Sequence, residues 1–122
     1  MLKITIEGTP ISINHLYGSR GSRRFMTSRG KQFKQMVSDL ASSLVEGNKI
    51  YPTPHPVEVE LAYYFSDRRK RDIQNLNKEV LDAFNGIIYD DDSQVVRLVL
   101  SKHISKHKPK TEIKIRIKKT SQ

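Results

Sequence analysis

Asp72 and the triplet Asp90-Asp91-Asp92 are the residues of this 122-residue chain best suited to chemistry. Arg68, Arg69, Lys70 and Arg71 run directly into the first carboxylate, and Lys78 follows it by six positions. Hard carboxylate oxygens hold a divalent cation such as Mg²⁺, while neighbouring cations hold a polyanion, so this pattern suits metal-assisted work on phosphates. Each residue also has a plainer reading. An Asp ahead of a helix caps it, and Lys78 and Asp82 stand at the i,i+4 spacing of an exposed ion pair. Four cations in succession are ordinarily a solvated loop, and the triplet ordinarily an acidic turn. His15, His55, His103 and His107 show no mutual metal-ligand spacing, and the chain has no cysteine to offer a thiolate site or a disulfide.

The elements that must position these residues follow from periodicity. Leu2, Ile4 and Ile6 alternate with polar residues as a half-buried strand, and Gly8, Thr9 and Pro10 end it. From Ile11 to Gly30 the composition predicts an extended basic loop, long enough to suggest function or ordering by a partner. Phe33, Met36, Val37, Leu40, Ala41, Leu44 and Val45 predict an amphipathic helix from about Ser28 to Glu46, its stripe serving a core or a dimer interface. Pro52, Pro54 and Pro56 make a stiff connector to a strand over Val57–Phe65, which delivers the chain to the basic run. A second helix is expected from about Ile73 to Phe84, closed by Asn85-Gly86. At about 1.5 Å per residue it spans roughly 18 Å, so the return through Ile87–Tyr89 can bring Asp90–Asp92 back beside Asp72. Converging carboxylates repel one another unless a cation joins them. Strands then follow over Val96–Ser101 and Ile113–Lys118, joined by the basic turn Lys106-His107-Lys108-Pro109-Lys110.

The expected order is β-α-β-α-β-β: a single small α/β domain over residues 1–122, with a mixed sheet, two main helices and a terminal hairpin. No internal repeat or domain boundary is evident. No apolar run approaches a membrane-spanning length, and the alternating N-terminus is unlike a signal peptide, so no membrane partner and a cytoplasmic location are expected. The net charge of +9 favours a polyanionic partner. Residues 8–38 contain no acid but carry Arg20, Arg23, Arg24, Arg29, Lys31 and Lys34, and residues 101–119 carry eight cations and only Glu112. Acids gathered in the middle of a basic chain fit a nucleic-acid enzyme better than a passive binder, although ribosomal proteins show similar segregation.

Asp72-Ile73-Gln74-Asn75-Leu76-x-Lys78, Leu81-Asp82-Ala83-Phe84-Asn85-Gly86 and Asp91-Asp92-Ser93-Gln94-Val95-Val96 together resemble the RusA family of Holliday junction resolvases. That family's pattern is an Asp-x-Asp-Asn-Leu-x-Lys segment followed by Asp-Asp-x-Gln-Val. Ser12-Ile13-Asn14-x-x-Tyr17 and the helix through Phe33 and Met36 extend the likeness over most of the chain. The resemblance implies a small homodimeric, Mg²⁺-dependent endonuclease, with Mn²⁺ as a substitute, cutting four-way junction DNA in recombination and repair, commonly of phage or prophage origin. It implies catalytic roles for Asp72, Lys78 and Asp92, metal contacts from Asp72, Gln74, Asp91 and Asp92, and products with a 5′-phosphate and a 3′-hydroxyl. Arg68, Arg69, Lys70, Arg71, Arg20, Arg23, Arg24 and Asn14 are then the expected DNA contacts. Gln74 stands where the family usually has a second Asp and brings an oxygen without a charge. The rival expectation is therefore a branched-DNA-binding protein of the same fold that cuts weakly or not at all. A more distant rival is an RNA-binding or ribosome-associated protein.

Overall fold

The structure is a computed structural model, and it describes residues 1–8, 17–21, 23–68 and 76–118. Among the described residues the elements are, in chain order, β1 (Leu2–Glu7), β2 (Tyr17–Arg20), β3 (Arg23–Met26), α1 (Ser28–Val45), β4 (Val57–Phe65), α2 (Leu76–Ala83), β5 (Val95–Ile104) and β6 (Lys110–Ile117). A single 3₁₀ turn, Asp92–Gln94, leads into β5. Four strands form one mixed sheet in the order β1-β6-β4-β5, with β4 and β5 parallel and the other neighbours antiparallel. The α/β class expected from the sequence is the one observed.

Two expectations need correction. The first concerns the stretch read as a basic loop, which contains a hairpin: β2 pairs antiparallel with β3, Arg20 lying opposite Arg23 across a turn where Gly21 has φ +64°. Glycine tolerates that left-handed backbone, and the neighbouring cations hide the strand signal that apolar alternation would give. The second concerns the last two strands, which form no hairpin. β6 inserts between β1 and β4, because Ile113 and Ile115 are fully buried and require a sheet interior, whereas β5 sits at the edge.

Alternation decides the sheet's two faces. Ile4, Ile6, Val57, Val59, Leu61, Tyr63, Phe65, Ile113 and Ile115 point to the helical side and join Val37, Ala41, Val80, Phe84, Ile88 and Tyr89 in one core. The opposite side carries Lys3, Glu58, Glu60, Arg97, Glu112, Lys114 and Arg116, opposed in mixed-sign rows by the strand register.

Helix α1 starts at Thr27, whose side-chain oxygen accepts from the Gly30 amide at 3.0 Å. Its apolar stripe divides. Val37 and Ala41 are buried and Phe33 and Val45 pack against the core, while Met36, Leu40 and Leu44 remain 38–43% exposed. The Ser38 hydroxyl donates to the Ala83 carbonyl at 3.0 Å, tying α1 to the end of α2. No helix among the described residues is long and apolar enough to cross a membrane.

Candidate active site: a clamped carboxylate turn

Gln94 organises the acidic turn. Its Oε1 accepts from the amides of Asp90 and Asp91, both at 2.9 Å, and its Nε2 donates to the carbonyls of Thr53 at 2.8 Å and His55 at 2.9 Å. One primary amide thereby fills all four of its usual hydrogen-bonding positions and pins the turn to the proline-rich connector. The Thr53 amide donates to the Ile88 carbonyl at 2.9 Å, so the connector also grips the segment that follows α2. This connector, expected from sequence only as a spacer, forms a wall of the site.

Within the turn the three acids differ. Asp90 is exposed. Asp91 is the cap of the 3₁₀ turn: its Oδ2 accepts from the Ser93 amide at 2.9 Å. Hydrogen bonds from Ser93 hold its carboxyl below the usual range. Asp92 is half-buried and turned toward Asp82 in the last turn of α2. Its carboxyl is raised, first by a hydrogen bond with Asp82, then by burial and by the charges of Asp91 and Asp82. Neighbouring carboxylates disfavour the ionised form of Asp92, and a cation at its oxygens would favour it.

Helix α2 builds the other side. Lys78 and Asp82 are four residues apart and lie on one face, about 6 Å along the axis. They make no ion pair with each other; Lys78 is exposed and Asp82 faces Asp92 instead. One turn before Asp82, Glu79 is 2% exposed, and its Oε2 has no hydrogen-bond partner. Burial, and then the nearby charge of Asp82, raise the Glu79 carboxyl. Beneath the turn, Tyr89 is fully buried and its hydroxyl donates to the Leu81 carbonyl at 2.7 Å. Burial raises the Tyr89 hydroxyl, with smaller contributions from Asp92, Asp82 and Asp91, so it stays protonated as a donor.

Of the residues expected from sequence, Asp91, Asp92 and Lys78 are placed within this region. Asp72, Gln74, Arg69, Lys70, Arg71 and Asn14 lie outside the described residues. Arg68 is exposed just beyond β4, and Arg20, Arg23 and Arg24 belong to the β2–β3 hairpin. Asp82 and Glu79 were not expected as site residues. Asp82 carried a signal, since it sits in the Leu81–Gly86 motif; Glu79 carried none beyond being an acid among apolar neighbours.

The donor set of this turn consists of hard oxygens, as Mg²⁺ requires, and the raised Asp92 carboxyl is short of nearby positive charge. Among the described residues no three acids or imidazoles are grouped closely enough to hold a metal by themselves. A cation here would need Asp92 together with further ligands such as Asp72.

Comparison with known proteins agrees with this geometry. The family model for endodeoxyribonuclease RusA matches residues 7–116. The chain belongs to the RusA family. It is also 32% identical to the uncharacterized protein YqaN of Bacillus subtilis strain 168, over 94% of this chain and 95% of that protein. The matched region of the RusA model contains β4, α2, the clamped turn and the basic segments on either side, so the carboxylate turn lies within an endodeoxyribonuclease family's own domain.

Proposed function

We propose that this RusA-family chain is a Mg²⁺-dependent endonuclease that resolves four-way DNA junctions by paired incision as a homodimer. The observation that carries the reading is the Gln94-clamped carboxylate turn holding Asp91 and Asp92, inside a region matched by the endodeoxyribonuclease family. Asp92 and Asp72 would hold the cation, with Asp91 assisting and Gln74 as a neutral oxygen ligand or orienting group. When bound, the cation would polarise the scissile phosphate and lower the pKa of a water. Lys78 stabilises charge on the phosphoryl oxygens, and the Gln94 clamp fixes the turn against the proline-rich connector before substrate arrives. Asp82 holds the Asp92 carboxyl in position. Arg68 to Arg71, the hairpin arginines Arg20, Arg23 and Arg24, and Asn14 contact junction arms.

Two cuts require two sites, and a two-fold dimer matches the approximate symmetry of a junction. The half-exposed ridge of Met36, Leu40 and Leu44 on α1 supports a second copy as partner.

The test uses a labelled four-way junction with Mg²⁺ or Mn²⁺. Symmetric nicks are expected, with Asp92→Asn retaining binding and losing cleavage. The neutral Gln74 predicts that Gln74→Asp increases the cleavage rate. Tight binding without incision by the native chain, converted to incision by Gln74→Asp, would instead identify a junction-binding protein.

A further inference from the structure

At one end of the sheet lie the described residues from which three basic stretches of the sequence set out. Strand β5 is parallel to β4, so both finish at that end, where Ser105 N donates to the Phe65 carbonyl at 2.8 Å. Arg68 follows Phe65 by three residues and opens the basic run, while Lys106, His107 and Lys108 follow Ser105. The Gly8 amide donates to the Pro109 carbonyl at 3.0 Å, so β1 ends here too and the acid-free segment from residue 8 departs from the same place.

A groove of about 650 Å³ lies at this end, lined by Glu7, Tyr64, Ser105, Lys106, His107, Lys108 and Lys110. The Tyr64 ring forms a rigid wall: it stacks on His103 with centroids 4.7 Å apart, and the Lys110 ammonium sits 5.2 Å from its centroid. Glu112 is engaged by Lys3 at 3.4 Å and Lys110 at 3.6 Å. Lys106 and Lys108 are exposed and pair with no acid among the described residues. Elsewhere on the outer sheet face, Lys114 and Arg116 stand opposite Glu60 and Glu58. The unpaired Lys106 and Lys108, against Lys114 and Arg116 that face glutamates across the strand register, mark the turn as the more cationic surface for a polyanion.

We infer that the β5–β6 turn, with Lys106, His107 and Lys108 beside Lys110, docks the phosphate backbone of a duplex arm at a fixed distance from the carboxylate turn. The inference rests on the nuclease reading. Asp92 to Gln94 immediately precede β5 and the basic turn immediately follows it, so the ten residues of the strand separate the two. At about 3.3 Å per residue that is roughly 30 Å. Duplex rises about 3.4 Å per base pair, so an arm of about nine pairs is needed to span it. The turn would act as a length gauge for the arm.

The experiment measures binding to junctions without divalent metal, so that no cleavage occurs, while arm length is varied from about fifteen pairs to about six. For the native chain, affinity should fall once arms drop below about nine pairs. A K106A/K108A variant should bind long arms more weakly and show no further loss on shortening. Two lost phosphate contacts should also make the fall in affinity between about 50 and 200 mM salt shallower by roughly tenfold. The control K114A/R116A removes two charges that face glutamates across the strand register and should keep the arm-length step. If K106A/K108A binds like the native chain, or if the control loses the step equally, the gauge is overturned while the nuclease reading stands. If the native chain binds no DNA, both are overturned.

Discussion

Asp92 is held in a state that favours function over stability. A carboxyl raised in the folded protein contributes stability that is fully present below its unfolded pKa and is lost as pH rises through the higher folded value. At neutral pH the ionised Asp92 therefore works against folding, through Asp82 and burial. Asp92→Asn is expected to raise the melting temperature of metal-free protein at pH 7. That gain should shrink as pH falls through the carboxylate range, as thermal scans across pH will check. Millimolar Mg²⁺ should stabilise the native chain and have little effect on the variant. Gln94 has the opposite character. Gln94→Ala breaks four hydrogen bonds and frees the turn from the connector, so a loss of about 2 kcal/mol in urea denaturation and a larger proportional loss of cleavage are expected. A variant with native stability and activity would show that the clamp does not set the site.

Helix α1 carries the strongest expectation at the level of elements. Its seven-residue apolar stripe was legible because the 3.6-residue period is robust, but period alone does not say how much of a stripe one sheet can cover. The structure divides it, leaving Met36, Leu40 and Leu44 half-open along the edge that flanks Val37 and Ala41. Leu40→Glu should leave the fold intact and convert a dimer of the 14.1 kDa chain to monomer, read by light scattering after size exclusion. A native chain that is monomeric at micromolar concentration would remove the dimeric mechanism. The strands with clean alternation, β1, β4 and β6, were equally legible. The β2–β3 hairpin was not, because its residues are cationic and its turn depends on Gly21, which looks like any loop glycine. Sheet order was also out of reach, since nothing local in Val96–Leu100 says that β5 will take an edge beside β4 and leave β6 to the interior. In the site, the acids of the turn were visible as residue types. The pairing of Asp92 with Asp82 was hidden because Lys78 offers Asp82 a more obvious partner along the same helix.

The molecule as a whole presents a net charge of +9 unevenly. If six to ten phosphates are neutralised in the complex, affinity should fall by roughly three to five decades between about 50 and 200 mM salt, measured by fluorescence anisotropy on a junction. A linear duplex engages fewer of the dispersed cations at once and should give a shallower slope; equal slopes and affinities for junction, duplex and RNA hairpin would point to a general polyanion binder. The mixed-sign outer sheet face has a practical consequence for such measurements. Ala62 lies there beside Ser101 and Glu112, on the side of the sheet opposite the helices, and the chain contains no thiol of its own. A cysteine introduced at Ala62 would be the molecule's single attachment point for a fluorophore or a surface tether, presenting the helical side to solution in one orientation.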